Sequence, residues 1–301
     1  MGADSLGAVS EGLERAALVA LLRLGRRRSA EYAALVEEAG SALAIFARER
    51  DAGRLETQTS FGAVDLLAST EEDLAEWQAA GFELVTVLDD DYPANLRAVY
   101  QHPPLLFVAG KLEYADERSV AVIGTRTPSP RGEKAAAQIA HCLLDSDYAV
   151  VSGLASGIDS AVHRAAIAAG GRPVAVIGTG LRLAYPPENR ALQEQLSREY
   201  AVASQFLPDT PARKQNFRDR NGLMAGLTLA TMIVEASPTS GTRIQARWAL
   251  DHGRPVLLWH ELLKDEWALQ LAQRPGTHVV RRAEEVPTTV ERLASLSPLV
   301  A

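Results

Sequence analysis

The stretch VVSGLASGIDSAVHRAAIAAGG, residues 150–171, leaves a β-branched run, alternates glycines with small residues and then enters an alanine-rich segment. This pattern predicts a buried strand, a tight turn and a helix, in that order. Glycines at such a turn allow another group to come close to the main chain. The stretch therefore indicates one βα unit of an α/β protein, with a loop built for a close approach.

The same alternation of strand, loop and helix continues on both sides of this unit, from Arg118 onward. Short valine-rich runs predict six strands: SVAVIG (119–124), YAVVSG (148–153), PVAVIG (173–178), AVASQF (201–206), ATMIVEA (230–236) and PVLLW (255–259). They are apolar on both faces, as strands covered by helices on two sides are. The chain after His260 reads as helix, short strand and helix. We expect an α/β fold with a Rossmann-like, doubly wound, mostly parallel sheet.

Three domains are expected along the chain. Residues 1–80 form a small helical domain in this interpretation, residues 81–117 a lead-in segment of short strands and turns, and residues 118–301 the Rossmann-like domain. Within the first, LERAALVALLRL (13–24) has apolar residues at helical spacing. STEEDLAEWQAAG (69–81) predicts a helix that starts at its Ser-Thr pair and stops at its glycine.

Composition limits the possible functions. A single cysteine, Cys142, excludes an intramolecular disulfide and a multi-cysteine metal site, and it fits a reducing cytoplasm, the expected location. The sequence shows neither a signal-peptide pattern nor an apolar run that could span a bilayer, so no membrane association is expected. A net charge of −7 excludes nucleic-acid binding over the whole surface, and an anionic partner would need a locally basic site.

Four loops follow predicted strands at the edge where open parallel sheets bind ligands. Their small residues and free amides are typical of a phosphate site: Gly124 and Thr125, with Arg126; Ser152, Gly153 and Gly157; Gly178 and Gly180; Ser240 and Gly241. Each loop taken alone reads more readily as a tight turn that needs glycine for steric reasons, and the occurrence of four such loops at one edge favours the phosphate interpretation. No Gly-Lys-Ser/Thr follows the glycines, and their spacing does not match the dinucleotide fingerprint. No cofactor is expected.

A basic, aromatic segment strengthens the phosphate interpretation. PARKQNFRDRNG (211–222) brings Lys214, Arg218 and Arg220 together with Phe217, whose ring offers a stacking surface for a base. Arg243 lies on the predicted helix after Ser240. The alternative is that these charges form ordinary solvated helix faces.

Catalytic candidates are few. His163 lies four residues after Asp159 on a predicted helix. We interpret it as a structural partner of the loop and favour this over a role as a general acid or base. Glu235, at the end of a strand, reads as a general acid, a ribose-hydroxyl acceptor or a cap of its own loop. No nucleophile elbow, paired carboxylates or metal-ligand spacing is present in the sequence, so no enzyme activity and no metal are expected.

The combination of SGLASGIDSAVH (152–163) with GTGLRLAYPPEN (178–189) resembles the bacterial DNA-processing protein A family (DprA, also called Smf), over about Gly81 to Trp259. The resemblance implies an extended Rossmann-like domain that binds single-stranded DNA without cutting it. It also implies a homodimer that protects incoming strands during natural transformation and helps to load the recombinase RecA.

The resemblance implies that the family's basic pocket is formed in this chain by the following residues: Gly124, Thr125, Arg126, Ser152, Gly153, Gly157, Lys214, Arg220, Asn221, Ser240 and Gly241. Phe217, Arg218 and Arg243 join this candidate site from the basic, aromatic pattern.

The chain also departs from the family's pattern. Gly222 stands where a second arginine is usual, Gln205 stands at an acidic position, and WHELL (259–263) replaces a Pro-Gly. The closing segment and a C-terminal winged helix are not recognisable, so a diverged member is expected. The alternative function is a sensor of a nucleotide-derived ligand, or a nucleoside-monophosphate glycosidic-bond hydrolase using Arg220 and Glu235.

Overall fold

The computed structural model describes residues 3–52, 63–237 and 240–295. It consists of two compact units, one comprising 1–92 and 101–107 and the other 93–100 and 108–301. None of the helices in these described ranges is both long enough and apolar enough to cross a membrane.

The first unit is mainly helical, as predicted. Its elements are α1 (Ala3–Leu24), α2 (Ser29–Ala39), α3 (Ala42–Asp51), α4 (Ala63–Ala79) and the strand β1 (Phe82–Thr86). Helix α1 packs against α3 and α4. Leu18, Leu21 and Tyr32 are fully buried at the centre of the unit.

The helix α4 begins earlier than the sequence predicts. It starts at Ala63, so the prediction of a start at the Ser-Thr pair is wrong. The hydroxyls of Ser69 and Thr70 donate to the carbonyl of Leu66, one turn back, and so act inside the helix. A serine or threonine can satisfy its hydroxyl in either position, which is why the pair misplaced the helix start.

The second unit begins with the short helix α5 (Ala94–Arg97), and strand β2 (Leu105–Gly110) crosses the division between the units. Its further strands are β3 (Ser119–Ile123), β4 (Ala149–Ser152), β5 (Pro173–Val176), β6 (Ala201–Ser204), β7 (Ala230–Ile233), β8 (Val256–Trp259) and β9 (Thr277–Val280). Its further helices are α6 (Pro130–Leu144), α7 (Ile158–Ala168), α8 (Arg190–Glu199), α9 (Lys214–Leu227), α10 (Thr242–Asp251), α11 (Glu266–Ala272) and α12 (Glu285–Ala294).

These seven strands form a parallel sheet in the order β6-β5-β4-β3-β7-β8-β9. Val120 of β3 is in register with Val150 on one side and with Ala230 on the other. The chain therefore moves outward from β3 in one direction and returns to its other side, which makes the carboxyl end of β3 the topological switch point. The predicted α/β class and the doubly wound, parallel sheet are confirmed.

One hydrophobic cluster joins the sheet to the helices α6, α7 and α12. It contains Val122 and Met232 from the strands and Ile139, Val162 and Val286 from the helices. Helices α9 and α10 pack against each other and also contact the sheet, α9 at β3 and β5 and α10 at β7 and β8. These two helices carry most of the basic residues that the sequence analysis selected.

Candidate functional site

The loops that follow β3, β4 and β7 are bonded to one another at the switch point. The amide of Thr125 donates to the carbonyl of Glu235 at 2.6 Å, and the amide of Ile158 donates to the carbonyl of Thr125 at 3.1 Å. Parallel strands place their carboxyl ends at one edge, so residues that are far apart in the sequence meet there. The prediction that these loops share one edge of the sheet is confirmed.

The glycines of these loops make room for other parts of the protein. A Cβ atom on Gly124 would lie 2.5 Å from Cγ1 of Ile158. Gly157 has a φ of +81°, and a Cβ there would collide with the carbonyl of Thr125. A Cβ on Gly153 would collide with the guanidinium group of Arg220. The steric explanation of the glycines is the one the structure supports.

The amides expected to face a phosphate already have an internal hydrogen-bond acceptor, the side chain of Asp159. Asp159 is buried at the first turn of α7, and its carboxylate accepts from the amide of Ala155 at 3.4 Å. Main-chain hydrogen bonds from Gly124 and Gly153 also stabilise its charge. Burial raises the pKa of Asp159, and the positive charge of Arg220 opposes that rise. This carboxylate holds together the loops that follow β3 and β4.

Arg220 also acts inside the protein. Its side chain is 5% exposed, and Nη1 donates to the carbonyls of Gly153 and, at 2.7 Å, Val176. Burial lowers the pKa of Arg220. The neighbouring Asn221 accepts from Nε of Arg220 at 3.1 Å and donates to the carbonyl of Gly241 at 3.3 Å. Both side chains tie α9 to the ends of other elements.

Two further predicted residues are internal. The hydroxyl of Ser152 is fully buried and donates to the carbonyl of Val122 at 2.7 Å. His163 is fully buried, and this burial lowers its pKa to about 3. The structural interpretation of His163 is the one this environment supports.

The exposed part of the site surrounds Phe217. Its ring lies 5.1 Å from the ring of Tyr185, and the guanidinium carbon of Arg126 lies 5.8 Å from its centroid. Gly178 permits this arrangement, because a Cβ there would lie 2.6 Å from the Phe217 ring. Lys214 is exposed one turn earlier on α9. We call Arg126, Tyr185, Lys214 and Phe217 the platform.

Tyr185 was not among the candidate binding residues that the sequence predicted. Its ring is 39% exposed, and it belongs to the loop that follows β5. An aromatic residue in a glycine loop of the same sheet edge was the available signal. Tyr185 lies close to Phe217, 32 positions later, because of the order of the strands in the sheet. Local sequence patterns do not reveal that order.

The remaining predicted residues lie in a different place. Arg218, Ser240 and Arg243 line a cavity of about 890 Å³ beside α9, α10 and α11. The hydroxyl of Ser240 accepts from the amide and the hydroxyl of Thr242, at the start of α10. Pro238 and Thr239, in the loop that the sequence analysis considered, lie outside the described residues. The structure thus separates the candidate residues into a buried frame, the platform and this cavity.

Glu235 has a structural partner. Its carboxylate accepts from the amide of Ser129 at 3.1 Å and from the hydroxyl of Ser129 at 2.9 Å. Ser129 is the residue that caps α6, accepting from the amide of Gly132. Glu235 therefore fixes the loop before α6, which is a different loop from the Ser/Thr loop that it was expected to cap.

Comparison with known proteins gives matches over most of the second unit. The sequence profile of a family described as DNA recombination-mediator protein A matches residues 83–289. A Smf protein from Synechocystis is 37% identical over 187 residues, a match that covers 61% of this chain and 47% of that protein. The chain therefore spans about half the length of this relative.

Two solved structures share the fold. The X-ray structure of DNA processing protein A from Streptococcus pneumoniae superimposes with a TM-score of 0.65 and 32% identity, over 74% of this chain and 81% of the other. DNA processing protein A from Helicobacter pylori, a protein described with a single-stranded DNA binding mode, superimposes with a TM-score of 0.62 and 22% identity, over 70% and 96%. The family match continues past Trp259 to residue 289, through a segment whose sequence carries no recognisable family motif.

Proposed function

The chain belongs to the DNA recombination-mediator protein A family, and on that premise we propose that it is a non-catalytic protein that binds single-stranded DNA. The platform is the observation that carries the proposal. Two aromatic rings and the guanidinium group of Arg126 meet there from separate loops and a helix, and the exposed Lys214 lies one turn before Phe217 on α9. We assign this role to the domain proposed at residues 118–301.

A single strand offers what this platform can hold. Its bases are unstacked and can lie on Phe217 and Tyr185, which contributes about 1–3 kcal/mol for each stacked base in other proteins. Its phosphates are within reach of exposed cations such as Arg126 and Lys214. The glycine loops, Ser152, Arg220 and Asn221 serve in this proposal as the frame that positions the platform.

The larger biological role follows from the family. We infer that the protein acts in the cytoplasm as a homodimer that protects incoming strands during natural transformation and assists the loading of RecA. The family resemblance supports these assignments, and the name of the Helicobacter pylori structure adds a relative that binds single-stranded DNA.

The enzyme and sensor alternatives lose the groups on which they depended. Arg220 is engaged by main-chain carbonyls, and Glu235 is engaged by Ser129. Neither side chain is presented to a nucleotide as a hydrolase or a specific sensor would require. We therefore propose no reaction at this site.

The proposal is tested by titrating labelled oligonucleotides across a salt series with Lys214→Ala and Phe217→Ala. We expect each variant to bind about tenfold more weakly, since one loses a phosphate contact and the other a stacking surface. Only Lys214→Ala should flatten the dependence of log affinity on log salt, by about 0.7. Arg220 is a poor choice for this test, because its removal would leave buried carbonyls without donors.

Arg198→Ala provides the matched control, since it removes an exposed cation from α8. It should change affinity by less than about twofold. Equal effects of Arg198→Ala and Lys214→Ala, or no binding by the parent protein at low salt, would contradict the proposed function.

A further inference from the structure

The cavity beside α9, α10 and α11 is rich in arginine and tryptophan. It has a volume of about 890 Å³. Its lining includes four arginines and one carboxylate, on a chain whose net charge is −7: Arg218, Arg243, Arg247, Arg274 and Asp251. Such a local excess of positive charge favours an anionic occupant.

The two tryptophans give the cavity aromatic walls. Trp248 fits against Gly222 of α9, where an added Cβ would lie 3.2 Å from the indole ring. Trp267 is 8% exposed, and its indole N–H is buried without a hydrogen-bond partner in the described part of the chain. The guanidinium carbon of Arg243 lies 5.8 Å from the Trp267 ring. Aromatic faces beside guanidinium groups are the surfaces on which nucleobases stack.

Helix α9 connects this cavity to the platform. Lys214 and Arg218 are four residues apart on that helix and therefore share one face, separated along its axis by roughly 6 Å. Lys214 belongs to the platform, and Arg218 lines the cavity. The two positively charged surfaces thus follow each other along one helix.

We propose that this cavity, which we call the arginine-tryptophan groove, binds a further segment of the same DNA strand that the platform holds. The proposal rests on the proposed function. A volume of this size is within the range of roughly 300–1,000 Å³ that small organic ligands occupy, so a base with its sugar and phosphate fits. The arginines contact the phosphates, and Trp248 stacks against a base.

The test compares a short oligonucleotide of about 6 nucleotides with a long one of about 20, because only the long strand can occupy both surfaces. For Arg243→Ala/Arg274→Ala we expect the long strand to bind about tenfold more weakly and the short strand to bind as it does to the parent protein. Trp248→Leu should show the same selectivity without a change in salt dependence, since it removes a stacking surface and no charge. Arg198→Ala/Arg281→Ala, which removes two exposed cations elsewhere, is the matched control.

The other outcomes would contradict the proposal that the groove binds DNA. Equal loss for both lengths, or no loss beyond that of the control, shows that the groove does not hold a strand. A change of molecular mass in sedimentation, with unchanged DNA affinity, identifies the groove as a contact between copies of the chain. If the parent protein binds neither oligonucleotide, the proposed function fails first; if the short strand binds and the long strand gains nothing, only the groove fails.

Discussion

At the scale of single residues, Gly153 and Gly157 have no room for a side chain. The spacing of Gly153 and Gly157 predicted a close approach, and the structure shows one. The approaching groups are Arg220 and the loop that follows β3, both part of the protein. Sequence alone could not distinguish this from an external phosphate, because both need the same missing Cβ.

His163 gives a pH prediction at the same scale. Its pKa in the folded protein is about 3 against 6.5 for an exposed histidine, so the unfolded chain binds a proton in this interval that the folded chain does not. Stability from this residue is therefore present above pH 6.5 and is lost as the pH falls toward 3. Between pH 7 and pH 5 the loss should be about 2 kcal/mol.

Urea unfolding of the parent and of His163→Met at these two pH values checks this expectation. The variant should lose about 2 kcal/mol less than the parent on acidification, because it has no proton to gain. His141→Met, at an exposed position on α6, should behave as the parent does. An identical pH response of the parent and His163→Met would contradict the assignment.

At the scale of elements, the six strands predicted as sequence runs were found in place, with ends that differ by up to three residues. They are short and apolar on both faces, and glycines or polar loops bound them. Helix limits were less certain in the first unit. There Gly40 has a φ of +64° and Ser41 accepts from the amide of Ala44, so α2 ends and α3 begins at this pair of residues.

Asn189 shows how loops of different strands are held together. Its amide donates to the carbonyl of Leu154 at 2.8 Å and to the hydroxyl of Ser160 at 2.9 Å, so the loop after β5 is bonded to the loop after β4 and to α7. We expect Asn189→Ala to lower the free energy of unfolding by about 1–3 kcal/mol, since it leaves a buried carbonyl without this donor. Gln195→Ala on the outer part of α8 should cost less than about 0.5 kcal/mol. Thermal unfolding of both variants measures the difference, and a loss in Asn189→Ala no larger than in Gln195→Ala would refute this role.

At the scale of the whole molecule, charge and fold act together. The chain is acidic overall, while four of the cations of the platform and the arginine-tryptophan groove lie on the helix pair α9 and α10. Their separation into two surfaces depends on the packing of α9 against α10, a tertiary contact that no local pattern encodes. The sequence therefore predicted the sheet and the basic residues but could not divide those residues between surfaces.

This distribution predicts a preference for single strands over duplex. A duplex offers phosphates but keeps its bases stacked, so it cannot use Phe217 and Tyr185, and the net charge of −7 weakens contacts with phosphates alone. In competition at one salt concentration, unlabelled duplex should displace a bound single strand at least about tenfold less effectively than unlabelled single strand of equal length. Equal competition would show that the rings take no part in binding.

The buried carboxylate of Asp159 has one more consequence. Because it already accepts hydrogen bonds from the loop amides, the buried frame of the site is assembled before any strand arrives, and binding need not order it. The residues that would contact a ligand are therefore separate from those that hold the loops in place. Residues such as Arg126 and Tyr185 can be exchanged for others while the buried frame keeps its shape. Retargeting this protein to a different polyanion would therefore keep Asp159 and Arg220 and redesign only the exposed residues of the platform.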